Sequence, residues 1–145
     1  MIKPFRPVKV NFGGAWDGSD LAKQMAALTE QFKSWTLHMT EASGEILRDS
    51  LAPTFRKSQE YCPIRTGELR RSGYLEVRKL GVLRGYQAEI GYGRGGLPPY
   101  AVLVHEMPVY HRPPTRWKWL QAAIQEDAAE IQARIVSGYR EASGT

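Results

Sequence analysis

Apolar side chains recur along residues 20–50 in one register: Leu21, Met25, Leu28, Phe32, Trp35, Met39, Ala42 and Ile46. The steps alternate between four and three, with polar residues between them. That is the period of a helix carrying one apolar stripe. The spacing predicts a long helix, roughly 45 Å for about thirty residues, with Ser19 or Asp20 as its cap. Pro53 is expected to kink or end it, with Phe55 to Tyr61 adding a further turn or two. Such a rod is long for a small domain. Its stripe must pack on its own sheet, on the second helix or on another subunit.

The pattern changes on either side of this helix. In residues 1–18, Val8, Val10 and Phe12 alternate with Lys9 and Asn11, while Pro4, Pro7, Gly13, Gly14 and Gly18 oppose a helix. They predict an extended N-terminal arm, either an edge strand for a neighbour or a loose terminus. Leu75 and Val77 share one face of residues 74–80. Tyr86, Ala88, Ile90 and Tyr92 share one face of residues 86–92, and Gly81 and Gly85 flank a tight connection between them. Tyr100 to His105 is more apolar and predicts a third strand, with Ala101 and Leu103 on one face and Val102 and Val104 on the other. Trp117, Leu120, Ile124, Ala128, Ile131 and Ile135 then predict a second helix over 115–137, capped by Thr115 and ended by Gly138. The expected fold class is α+β: a long N-terminal helix, a small antiparallel sheet of three to four strands, and a C-terminal helix packed on the sheet. The arm spans 1–18, one domain spans 19–138, and 139–145 is expected to be a flexible tail.

Composition narrows the classes. The chain has 145 residues, enough for one ordinary domain. No apolar run approaches the length of a membrane span, and residues 1–7 lack the apolar core of a secretory signal. The single cysteine, Cys62, forms no internal disulfide, which fits a reducing cytoplasm or a particle assembled in one. The net charge of +5 is concentrated in the middle. Residues 54–94 carry nine bases (Arg56, Lys57, Arg65, Arg70, Arg71, Arg78, Lys79, Arg84 and Arg94) against four acids. The flanking thirds are balanced. A basic zone suits phosphate or an acidic partner, but the interspersed Glu60, Glu68, Glu76 and Glu89 favour a solvated face.

Candidate chemistry is sparse. Gly91, Gly93 and Gly96 match a dinucleotide-binding spacing, but Pro98-Pro99 and an expected strand follow, where a phosphate-binding helix is required. His105, Glu106 and His111 fit no zinc spacing. Cys62 has no histidine nearby in the sequence and reads as an idle thiol. Glu126, Asp127 and Glu130 read as a solvated helix face. With no nucleophile–base pair and no acid–base dyad, no enzyme activity, metal or cofactor is expected. Trp119, off the predicted stripe, fits a core position and an interface anchor equally well.

Three motifs carry a resemblance. Pro63 to Tyr74 reads Pro-Ile-Arg-Thr-Gly-Glu-Leu-Arg-Arg-Ser-Gly-Tyr after the long helix. Tyr100-Ala-Val-Leu-Val-His-Glu106 follows, and Trp117-Lys-Trp-Leu-Gln-Ala-Ala123 opens the last helix. Over about residues 20–137 this order resembles a family of tailed-bacteriophage neck and tail components. In that family a P-x-x-T-G-x-L turn, a Y-A-x-x-V strand and an aromatic-L-x-x-A helix start occur in sequence. The family contains tail-completion and head–tail joining proteins, similar in role to the minor tail protein Z of phage lambda.

The resemblance implies a structural virion protein of the neck, assembled in the bacterial cytoplasm. It implies a ring of copies, six favoured over twelve, that meets portal-side and tail-tube proteins and joins the tail to the DNA-filled head. The expected interface residues are Arg65, Thr66, Gly67, Arg70, Arg71, Tyr100, His105, Glu106, Trp117 and Trp119. Arg70, Arg71, Arg78, Lys79 and Arg84 are the candidates for facing packaged DNA. The alternative function is a nucleic-acid-binding module built on residues 54–94.

Overall fold

The computed structural model describes residues 2–6, 18–81 and 85–144. The expected strand at Val8, Val10 and Phe12, and the candidate Arg84, lie outside them. Helix α1 spans Gly18–Tyr61, 44 residues with Pro53 inside, roughly 66 Å at 1.5 Å per residue. It therefore neither ends at Pro53 nor starts at Ser19 or Asp20. A short helix α2 (Glu68–Arg71) and strands β1 (Tyr74–Gly81) and β2 (Gly85–Gly91) follow. After a 3-10 turn at Arg94–Gly96 come helices α3 (Ala101–Glu106) and α4 (Trp119–Ser143).

The class is α+β as expected, but the sheet has two strands, not three to four. β1 and β2 pair antiparallel, with Leu75 opposite Ile90 and Val77 opposite Ala88. The third predicted strand is α3. Only Ala101 is buried and Val104 half-buried, while Val102 and Leu103 are exposed. Burial three residues apart marks one face of a helix, not the two faces of a central strand. A short continuous apolar run carries no period that separates the two, and Pro98-Pro99 just ahead of it suits a helix start.

Helix α4 packs along α1, not on the sheet, and the hairpin packs on α1 as well. The two helices run antiparallel, since Trp119 packs with Cys62 at one end and Ala142 with Ala42 and Ile46 at the other. The buried line on α1 is Ala42, Ile46, Ser50, Thr54 and Ser58, continued by Cys62 just past its end, a strict step of four. On α4, Trp119, Ala123 and Asp127 are buried at the same step. Rows at i±4 are the ridges that interdigitate when helices pack closely, and the small α1 residues let α4 approach. Gly138, expected to end the helix, serves that approach: a Cβ there would lie 2.9 Å from Ile46 Cγ2. The helix runs past it to Ser143, with Ala142 buried. Its start also moves, from residue 115 to Trp119. Lys118, not Thr115, occupies the cap position, with no side-chain cap bond.

Residues 2–6 cross the far end of this pair without regular structure. Phe5 N–H donates to Ala142 O at 2.9 Å, supplying a donor to a helix C-terminal carbonyl. Ile2 packs on the cluster of Ala42, Ile46 and Ala142.

Candidate functional site

The Pro63–Ser72 motif folds as a turn followed by the short helix α2. Gly67 sits at φ 79°, a left-handed conformation that glycine adopts without a steric penalty, and turns the chain into α2. Leu69, on α2, is buried with Cys62, Ala101 and Trp119. The Ser72 hydroxyl donates to Leu69 O at 2.6 Å, and Gly93 N–H donates to Ser72 Oγ at 3.1 Å, tying the motif to the end of β2.

The Tyr100 segment comes to the same place. Ala101 enters the core beside Leu69, and Val104 packs against that core. The Tyr100 hydroxyl donates to Glu68 Oε2 at 3.1 Å. Between these two motifs lies an open groove of about 660 Å³, lined by Ile64, Arg65, Thr66, Gly67, Tyr100 and His111 among others. The consecutive interface candidates Arg65, Thr66 and Gly67 thus share one largely apolar depression with Tyr100, which is distant in sequence.

Along residues 97–117, large apolar side chains face solvent. Val102 is 75% exposed, Leu103 60% and Tyr110 88%, and Leu97, Met107, Val109 and Trp117 are exposed as well. Residues 97–117 therefore present most of their apolar side chains to solvent while staying anchored. Arg116 N–H donates to Tyr61 O at 3.0 Å, and Lys118 N–H donates to His105 O at 2.9 Å. The Arg116 guanidinium lies 3.8 Å from the Tyr61 ring centroid and pairs with Glu126 at 2.9 Å. Apolar surface concentrated on a pinned segment marks residues 97–117 as a candidate interaction surface.

Three interface candidates are displaced from this surface. Trp119 is 1% exposed, with its ring edge-on to Tyr92 at 5.6 Å and to His105 at 4.7 Å. It is core, so it offers no surface to a partner. His105 is largely enclosed by that contact, and its Nδ1 lies 2.7 Å from Glu106 Oε1. Arg70 is half-buried and donates from Nη2 to Cys62 O at 3.0 Å. Glu106, Arg71 and Trp117 are exposed.

The basic zone is divided. Arg78 bridges Glu89 at 3.3 Å and Glu76 at 3.7 Å; Arg94 pairs with Glu76 and lies 4.0 Å from the Tyr74 ring centroid. These bases neutralise two glutamates that face each other across the hairpin. Lys57 is engaged by Asp127. Arg56, Arg65, Arg71 and Lys79 remain exposed, with no partner among the described residues. These ion pairs leave the basic zone discontinuous.

Sequence reasoning missed one polar centre. Asp127 is buried, not solvated: Thr54 Oγ1 donates to its Oδ2 at 2.8 Å, and Lys57 Nζ donates to its Oδ1. The hydrogen bond from Lys57, reinforced by Thr54, holds the Asp127 carboxyl below its ordinary value. The signal was present as the four-residue step Trp119, Ala123, Asp127, hidden because Trp117 was counted into the stripe. Burial raises the Cys62 thiol to about 11 and the Tyr92 hydroxyl to about 12, so both stay protonated at neutral pH. Among the described residues no group of three or more His, Cys, Asp or Glu is placed to hold a metal, and no helix is long and apolar enough to cross a membrane.

No family model, curated protein or solved structure matches the chain.

Proposed function

We propose that the protein is a structural component of a tailed-phage neck, forming a ring that completes the tail and joins it to the DNA-filled head. One observation carries this reading: the two motifs that resemble the phage family, Pro63–Ser72 and Tyr100–Glu106, both contribute to one groove, and the second lies within the exposed apolar segment 97–117. Residues with the properties of an assembly contact thus coincide with the residues that define the resemblance. The ring contains six copies, with twelve as the alternative, and its other neighbours are portal-side and tail-tube proteins. It assembles in the bacterial cytoplasm and acts in the virion. A closed ring requires each copy to present two different surfaces, and the segment 97–117 supplies one of them.

The test is electron microscopy of lysates from the parent phage lacking this gene. The expected result is DNA-filled heads beside unattached or aberrantly ended tails. Normally joined particles would remove the protein from the neck.

A further inference from the structure

The first twenty residues of α1 extend past the end of α4, whose C-terminus reaches α1 at His38: His38 Nε2 lies 3.2 Å from Ala142 O. Along this roughly 30 Å overhang the apolar stripe continues without cover from the described residues. Leu21, Met25, Leu28 and Phe32 are all exposed, Phe32 at 67%. The apolar register of four and three itself runs on through Met39, Ala42 and Ile46, and it is the line of burial that differs along α1. The buried part of α1 advances by four, the ridge of an ordinary helix pair, whereas Leu21 to Trp35 advances by four and three. That is the heptad of a coiled coil, which keeps its seam on one side of a supercoiled partner.

The flanks of the seam say which partner. With Leu21, Leu28 and Trp35 at one core position of the heptad and Met25 and Phe32 at the other, the neighbouring positions hold Ala22, Gln24, Thr29, Gln31 and Thr36. None is charged. Thr29 and Thr36 donate their hydroxyls at 2.8 Å back to Met25 O and Phe32 O, so these groups demand no partner from outside. Lys23, Glu30 and Lys33 all fall on the outer positions, where Lys33 and Glu30 pair with each other at 2.9 Å. A coiled coil that selects a different protein does so through complementary charges flanking its seam. A seam with neutral flanks meets its own copy without like-charge repulsion. We infer that the α1 overhang is a self-association segment, in which residues 21–35 of two or more copies pack as a coiled coil. This inference does not depend on the neck reading.

The full chain, studied by sedimentation equilibrium over a range of concentrations, tests it. Wild type is expected to associate reversibly. Met25→Glu with Phe32→Glu, both on exposed side chains, is expected to weaken association at least about 100-fold with an unchanged far-UV circular dichroism spectrum. Lys23→Glu, on the outer face, leaves it intact. Under oxidation Leu28→Cys yields a disulfide-linked dimer and Lys23→Cys does not. A wild type that stays monomeric at about 100 μM would overturn the inference and assign the stripe to a different protein. Undiminished association of the double glutamate variant would overturn it too, by placing the contact between copies elsewhere.

Discussion

Trp119→Ala is expected to lower the unfolding free energy by about 3–5 kcal/mol in urea titrations. The ring is the largest fully buried side chain among the described residues, and it joins α4 to Leu69 of α2, Ala101 of α3 and Cys62 at the end of α1. Removing it empties the one cluster in which all four helices meet. Its indole N–H finds no acceptor among the described residues, so Trp119→Phe loses packing but no hydrogen bond and is expected to cost less than half as much. Trp117→Ala is the contrasting case. That ring is exposed, with Lys118 Nζ 5.2 Å from its centroid as the cation–π contact, and its loss is expected to stay within about 0.5 kcal/mol. Similar losses for Trp119→Ala and Trp117→Ala would contradict this division of the two tryptophans.

Asp127→Ala is expected to destabilise by about 1–3 kcal/mol, because the fully buried Thr54 hydroxyl loses its acceptor. The effect carries a pH signature. Chiefly through the Lys57 hydrogen bond, the folded state holds the Asp127 carboxyl below its ordinary 3.8. A depressed folded value means that the unfolded chain takes up the proton first as pH falls. The stabilisation is therefore complete above the unfolded value and is lost as pH drops through the folded one. Glu126 is shifted the same way, mainly by the Tyr61 hydroxyl that donates to it at 2.6 Å. Urea titrations at a series of pH values should show the gap between wild type and Asp127→Asn closing below about pH 4. A gap constant down to about pH 2 would show that the carboxylate charge contributes nothing there.

These two sites mark where the sequence was legible and where it was not. The long helix and the hairpin were readable because their periods, 3.5 and 2, extend over many residues, and Gly81 and Gly85 bracket the turn. The turn in Pro63–Leu69 was readable because a Thr-Gly pair in a polar run has few structural uses. The packed half of α1 was not readable. Its contact line is Ser50, Thr54 and Ser58, continued by Cys62 just past its end, small residues that a search for large apolar side chains passes over. The same blindness turned α4: with Trp117 counted as its first apolar position, the inward face shifted by one residue. Trp119 and Asp127 then fell off the stripe, and the exposed Ala128 fell on it. For the candidate site, the motifs were visible but their convergence was not. Nothing local in residues 63–72 or 100–106 shows that one groove will hold Thr66 and Tyr100. The core of Leu69, Ala101 and Trp119 brings them together.

Under the proposed neck function, the outward apolar surface of residues 97–117 acts in particle assembly. The most direct measurement is complementation of the gene-deleted phage with Val102→Glu, Leu103→Glu protein. Joined particles are counted by electron microscopy and infectious titre is read alongside. Both positions are exposed, so the variant is expected to fold like wild type, which circular dichroism checks. Wild-type protein should restore joined particles, and the variant should leave filled heads and tails apart, with titre at the level of the deletion. Wild-type titre from the folded variant would contradict the account.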